Sequence, residues 1–376
     1  MKKRRILISS IVSLIIFLII ILIMRFQNRV IIKDYNILHD EKFGGVFADI
    51  SIDEFNDKGF VFGDSVDVEF SNGNKLSDIP YYNGYYVQYG EPQVVGYPGY
   101  EYIKICLNYG EDLWEKYKLS SEDKVTIKLH KPEKYLNIQE ARDIEYSDIQ
   151  GDQSDIEFAN FRSVKTKNMK ENVLYRSASP VDNQHKRASV TDKLIKDVGI
   201  KYIVNLSDSD EDLVKHINKE DFNSPYFLSL YEENKIVALS MSMRFEETSF
   251  SNSLIKGLEK MANNDGPYLV HCVEGKDRTG FVIMVLEALG GATYQEMVDD
   301  YMETYKNYYG ITLESDKIKY NTIKELNIDF MLRYITGSDE NTDLNKIDYE
   351  AKTREFLLSK GISENNLEIL KEKLYN

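Results

Sequence analysis

The residues in this chain best suited to chemistry are Cys272 and Arg278, separated by five positions in the run Tyr268-Leu269-Val270-His271-Cys272-Val273-Glu274-Gly275-Lys276-Asp277-Arg278-Thr279-Gly280-Phe281. The run reads as an apolar strand, a tight loop and the start of a helix. In such a loop the backbone N–H groups of Val273, Glu274, Gly275 and Lys276 turn inward as an anion cradle, and the helix start behind Arg278 adds its positive end. The same field favours the thiolate of Cys272 over its thiol. Arg278 offers a planar fork that can hold two phosphate oxygens into the transition state. Gly275 supplies a backbone conformation that a Cβ would penalise. Thr279 is placed to hydrogen-bond the sulfur as it attacks and later leaves, Gly280 lets the helix start pack closely, and His271 supports the loop by hydrogen bonding. The reaction implied is in-line attack on phosphorus, a phosphocysteine intermediate and its hydrolysis. That chemistry calls for no metal and no cofactor.

These residues resemble the cysteine-dependent tyrosine/dual-specificity phosphatase superfamily. The Gly275-Lys276-Asp277-Arg278-Thr279-Gly280 form is similar to bacterial tyrosine/serine phosphatases of the secreted mycobacterial type, some of which also act on phosphoinositides. Asn160-Phe161-Arg162 resembles the opening segment of that family, Leu174-Tyr175-Arg176-Ser177 a strand of it, and Tyr349–Lys373 its closing helices. The resemblance spans about Asp155 to the end. It implies that Arg176 touches substrate and that Asp277 is the general acid that protonates the leaving oxygen. Asp208, Asp210 and Glu247 are the alternatives, with Glu246 beside the last. Where the family carries Asp-Leu-Arg, this chain has Asn205-Leu206-Ser207. Lys276 either binds a second phosphate or faces solvent. The expected substrate is phosphotyrosine or phosphoserine on proteins. A phosphoinositide or inositol phosphate is the enzymatic alternative, and an inert phosphate pocket used as a surface binding module is the alternative from another class.

The elements around the loop give an α/β domain over 151–376, with a parallel or mixed sheet flanked by helices. Helical patterns at Ser189–Val198, Leu254–Ala262, Thr279–Leu289 and Tyr294–Tyr309 alternate with short apolar strands at Lys201–Leu206 and Tyr268–Val270. Residues 46–150 read differently, as a β-rich accessory domain. Val66, Val68 and Phe70, then Ile103, Ile105 and Leu107, then Val125, Ile127 and Leu129 alternate with other residues between Gly/Asn turns, the pattern of a small antiparallel sheet or barrel. A short turn at Glu111–Tyr117 is its only helical signal. The tyrosines at 81, 82, 85, 86, 97, 100 and 102 suit aromatic packing across strands, or a platform for sugar or protein. The run from Gly90 to Gly110 resembles the C-terminal β-barrel of the S-adenosylmethionine hydroxide adenosyltransferases; the catalytic half of those enzymes is not recognisable, so no such activity is implied.

With 376 residues, 42% hydrophobic, 27 Tyr and 17 Phe, the chain can bury two cores. Its formal charge of −15 argues against nucleic acid as a partner, which wants a basic face. The two cysteines, Cys106 and Cys272, make neither a disulfide scaffold nor a Cys-x-x-Cys metal site. Cys106 lies inside an alternating strand and reads as a packed side chain. At the front, a basic segment at 1–5 precedes residues 6–24, an uncharged apolar run of roughly 28 Å as a helix, close to a hydrocarbon core of about 30 Å. The reading is an uncleaved transmembrane anchor, then a stalk over 25–45, tying the protein to the cell membrane. The N-terminus would be cytoplasmic and the catalytic domain extracellular, or secreted if the segment is cleaved.

Overall fold

The structure, a computed structural model, describes residues 30–245 and 247–376, and the chain divides after Ile144 into two compact units.

The first unit is a closed barrel of seven strands: β1 (Ile31–His39), β2 (Val46–Ser51), β3 (Ser65–Phe70), β4 (Lys75–Tyr82), β5 (Pro92–Val95), β6 (Tyr102–Leu107) and β7 (Lys124–Lys131), in the order β1-β2-β6-β5-β4-β3-β7. β7 pairs with both β3 and β1, which closes the ring and leaves no free edge. All pairings are antiparallel except β4 with β5. Period-2 alternation sends Val66, Val68, Phe70, Ile103, Ile105, Val125, Ile127 and Leu129 into one core. The opposite face of β6 is covered too: Lys104 is buried against Asp40 (2.6 Å), and Cys106 is a buried free thiol that burial pushes up to about 11.

The second unit carries a five-stranded mixed sheet of β8 (Arg162–Ser163), β9 (Leu174–Ser177), β10 (Tyr202–Asn205), β11 (Ile236–Ala238) and β12 (Tyr268–His271), in the order β11-β10-β12-β9-β8. Four strands are parallel and β8 is antiparallel to β9. Their register sets Ser177, His271, Asn205 and Ala238 abreast at the carboxyl end of the sheet. This is where loops of an open α/β sheet form a crevice. The helices that matter to that crevice are α1 (Asp210–Ile217), α2 (Thr248–Ala262), α3 (Asp277–Leu289) and α4 (Tyr294–Tyr309). From Thr279 to Leu289 every residue of α3 is buried, as an apolar helix inside the fold should be. α4 starts on a capping box between Thr293 and Glu296 and ends at left-handed Gly310.

Several expectations are corrected. No helix among the described residues is long and apolar enough to cross a membrane, so the transmembrane element of the expected fold class and the single-pass placement with an extracellular catalytic domain are not supported. The anchor assigned to residues 6–24 lies outside the described residues. Ile31–His39, inside the stretch read as a stalk, is the first barrel strand. Helical turns at Ile52–Asp57 and Leu136–Arg142 join the one at Leu113–Lys116. The first has a legible signal, Ser51 followed by Glu54, whose N–H the Ser51 hydroxyl accepts at 3.1 Å.

Candidate active site

Strand β12 delivers Cys272 to the carboxyl edge of the sheet, and α3 begins five residues later at Asp277. Between them the chain makes a loop whose carbonyls are all taken from outside. Cys272 O lies 3.1 Å from His271 Nδ1, and Val273 O accepts the Ser179 N–H at 2.9 Å. Glu274 O accepts the Tyr308 hydroxyl at 2.6 Å. Gly275 O accepts from Arg176 at 2.7 Å and from Asn160 Nδ2 at 3.2 Å, and Lys276 O accepts the Gly280 N–H at 2.7 Å. With the oxygens turned outward, the N–H groups of residues 273–279 have no protein acceptor among the described residues. A run of such donors before a helix N-terminus attracts an anion.

Two glycines make this path feasible. Gly275 has φ +66°, and a Cβ there would meet the Ser177 carbonyl oxygen at 2.1 Å. A Cβ at Gly280 would lie 2.4 Å from the Tyr301 ring, so α3 and α4 pack in contact at that point.

Cys272 is 3% exposed at the loop's start. His271 beneath it is fully buried; burial pushes its imidazole down to about 4, against the opposing pull of its bond to the Cys272 carbonyl and of Asp208, so it is neutral at neutral pH. Thr279 is buried with its hydroxyl unpartnered, so the expected bond to sulfur is not formed. The Arg278 guanidinium extends toward the Met241 carbonyl at 3.5 Å. Asp277 stands on the first turn of α3 with its side chain 49% exposed, 3.4 Å from the Tyr301 hydroxyl.

Arg176, expected to touch substrate, is instead a fully buried strut. Its guanidinium is spent on the carbonyls of Gly275 and Lys276 and on Asp300, which α4 brings in. Arg162 reaches the same Asp300 carboxylate at 2.8 Å and Asn160 Oδ1 at 2.6 Å. Burial alone would raise Asp300, but the two guanidiniums outweigh it and hold the carboxyl well below its usual range. The Asn160-Phe161-Arg162 segment thus acts from beneath the loop.

Lys276 neither faces solvent nor projects freely from the loop. Its ammonium lies 3.0 Å from Glu274, 3.1 Å from the Tyr309 hydroxyl and over the Tyr309 ring at 5.6 Å. Desolvation opposes its charge, yet Asp277, Tyr305 and Glu274 raise it above the ordinary lysine value.

The alternative acids differ in setting. Asp208 is buried and bound by Asn205 Nδ2 (2.8 Å) and the Ser207 hydroxyl (3.0 Å). Asp210 is exposed on the first turn of α1. Glu247 is half-buried and kept ionised below its usual range by Arg244, with Ser249 adding a bond. Glu246 lies outside the described residues. Sequence reasoning missed Asp300, Asp182 and His216. The last stands between Asp208 (3.4 Å) and Asp182 (3.9 Å), a contact only the sheet order could reveal.

A family model described as the tyrosine phosphatase family matches residues 156–376. Among solved structures, the core catalytic domain of the PP-IP phosphatase Siw14 from S. cerevisiae, in complex with citrate, is 20% identical over 47% of this chain and 91% of that one, with a TM-score of 0.27. A second structure of the Siw14 catalytic core is 18% identical over 52% and 97%, also at 0.27. An uncharacterized conserved protein from Thermotoga maritima is 21% identical over 25% of this chain at a TM-score of 0.22, and this chain spans about a third of it, 34%. Among curated proteins none matches.

Proposed function

We propose that this chain, which belongs to the tyrosine phosphatase family, acts on phosphotyrosine or phosphoserine side chains of proteins. It is a cysteine-dependent phosphatase, a hydrolase whose substrate carries a phosphate.

In the proposed reaction the Cys272 sulfur attacks phosphorus while the N–H groups of residues 273–279 and the Arg278 guanidinium hold the equatorial oxygens. The bond from phosphorus to the leaving oxygen breaks as Asp277 gives that oxygen a proton. Water then attacks the phosphocysteine, Asp277 takes up the water's proton, and inorganic phosphate leaves with the thiolate restored. The observation that carries this reading is the loop in which every carbonyl from Cys272 to Lys276 is bound on the outside and the amides are left for an anion. Asp277 is favoured as the acid over Glu247 because it stands at the end of the loop itself with Lys276 3.8 Å away, whereas Glu247 is held by Arg244 at 2.5 Å.

A substrate panel tests the reading. Phosphotyrosyl and phosphoseryl peptides, phosphoinositides and inositol phosphates would be compared by kcat/KM with EDTA present. Peptides should lead, and a clear lead for inositol lipids or inositol phosphates would replace the protein substrate. Failure to hydrolyse even p-nitrophenyl phosphate would leave only a phosphate-binding pocket.

A further inference from the structure

An ammonium two residues before the loop's arginine could receive a second phosphate next to the one in the cradle. In this chain that ammonium is already engaged. The side chain of Lys276 is only 16% exposed and that of Glu274 27%, with 3.0 Å between their charged atoms. Burial would raise the Glu274 carboxyl, but Lys276 and the Tyr146 hydroxyl lower it below its usual range, so both partners are charged. Tyr309 fixes the ammonium from the other side through its hydroxyl and its ring. The Asp277 carboxyl lies 3.8 Å from the same ammonium. Asp277 carries its proton in the substrate-binding form of the proposed reaction, so Glu274 is the group that cancels the charge of Lys276.

We propose that Glu274 is a specificity-determining residue that selects substrates with a single phosphate against those with a neighbouring one. A polyphosphorylated ligand seated by one phosphate would bring the next toward the Glu274 carboxylate, and like charges brought together select against a ligand. A singly phosphorylated tyrosine has no charge to place there. The inference deepens the protein-substrate reading above and rests on it for the choice of peptide. It can be read separately, because p-nitrophenyl phosphate serves as a common reference with one phosphate.

The test uses the full-length chain, with p-nitrophenyl phosphate, a singly phosphorylated tyrosyl peptide and inositol hexakisphosphate at fixed ionic strength. For Glu274→Gln the ratio of kcat/KM on inositol hexakisphosphate to that on p-nitrophenyl phosphate should rise at least about tenfold, the change that about 1.4 kcal/mol of relieved repulsion produces. Adding Lys276→Gln to that variant should reverse the gain, since the released ammonium is what accepts the second phosphate. The unmodified protein supplies a second measurement. Its kcat/KM on inositol hexakisphosphate should rise with added salt relative to p-nitrophenyl phosphate, because screening weakens repulsion. An unchanged ratio in Glu274→Gln, or a salt dependence of the opposite sign, overturns the proposal. Poor peptide turnover beside an intact shift in the ratio would reject the protein substrate and leave the role of Glu274 standing.

Discussion

A Cβ on Gly275 would sit 2.1 Å from the carbonyl oxygen of Ser177, closer than any real contact allows. The catalytic loop therefore lies directly on the backbone at the end of β9, and the left-handed φ at that point adds its own restriction. Gly275→Ala should cost about 1–2 kcal/mol for the backbone conformation alone, and the clash must then push the loop away from Ser177. A displacement of about 1 Å at reacting atoms can lower rates by about 10². The expected outcome is a fall in kcat/KM on p-nitrophenyl phosphate of at least that size, with a lower Tm. Near-normal kinetics in this variant would mean the loop is not held where Ser177 places it.

Cys272→Ser keeps the shape of the loop and removes the nucleophile. Turnover should fall by several orders of magnitude, as removal of an attacking side chain does elsewhere. Inorganic phosphate should still bind, measured by calorimetry, because the amides of residues 273–279 are unchanged. Ordinary turnover in the serine variant would assign the attack to another group.

The parts of the fold that were readable are those where one residue type is demanded at a fixed spacing. The loop from Cys272 to Gly280 is of that kind, since a Cβ at Gly275 would strike the Ser177 backbone and one at Gly280 the Tyr301 ring where α3 meets α4. The inward faces of β3, β6 and β7 were equally plain, because period 2 and burial coincide there. What escaped depends on partners remote in sequence. Arg176 sits at a strand end beside the catalytic loop, where it resembles a substrate ligand, and only Asp300 on α4 and the Gly275 carbonyl turn it inward. Lys276 read as either a phosphate ligand or a solvated side chain until Tyr309 closed over it. The closed ring of the first unit needs the parallel pairing of β4 and β5, which alternation within either strand cannot disclose.

For Asp277→Asn the leaving group decides the outcome. An aryl phosphate such as p-nitrophenyl phosphate departs without help, whereas the oxygen of phosphoserine needs a proton. Loss of a positioned acid typically costs about 10²–10⁴. The variant should lose activity in that range on a phosphoseryl peptide and far less on p-nitrophenyl phosphate, and the alkaline limb of its pH profile should change on the former only, since a proton donor is lost as pH rises. Equal losses on both substrates would turn attention to Asp208, the buried carboxylate at the next strand end.

Two carboxyls behind the loop, the half-buried Asp300 and the buried Glu287, should respond to mutation and pH in opposite ways. Asp300 is held down by Arg162 and Arg176, so the stability it contributes is full above its unfolded value, near 3.9, and is lost as pH falls through its lower folded value. Asp300→Asn leaves two guanidiniums buried without their counter-charge and should cost about 3–5 kcal/mol at pH 7, the range for breaking a buried pair. The deficit should shrink on acidification. Glu287, buried in α3, is pushed the other way, by burial first and by Asp300 second. From about pH 4.3 upward the unfolded chain has released that proton while the folded protein keeps it, so this group lowers stability as pH rises until it ionises in place. Glu287→Gln should match the parent near pH 4 and exceed it in denaturant midpoint at pH 8. A Glu287→Gln variant that weakens steadily toward alkaline pH would show the carboxyl to be ionised in the fold and paired with Arg176, reversing the assignment of charge beneath the catalytic loop.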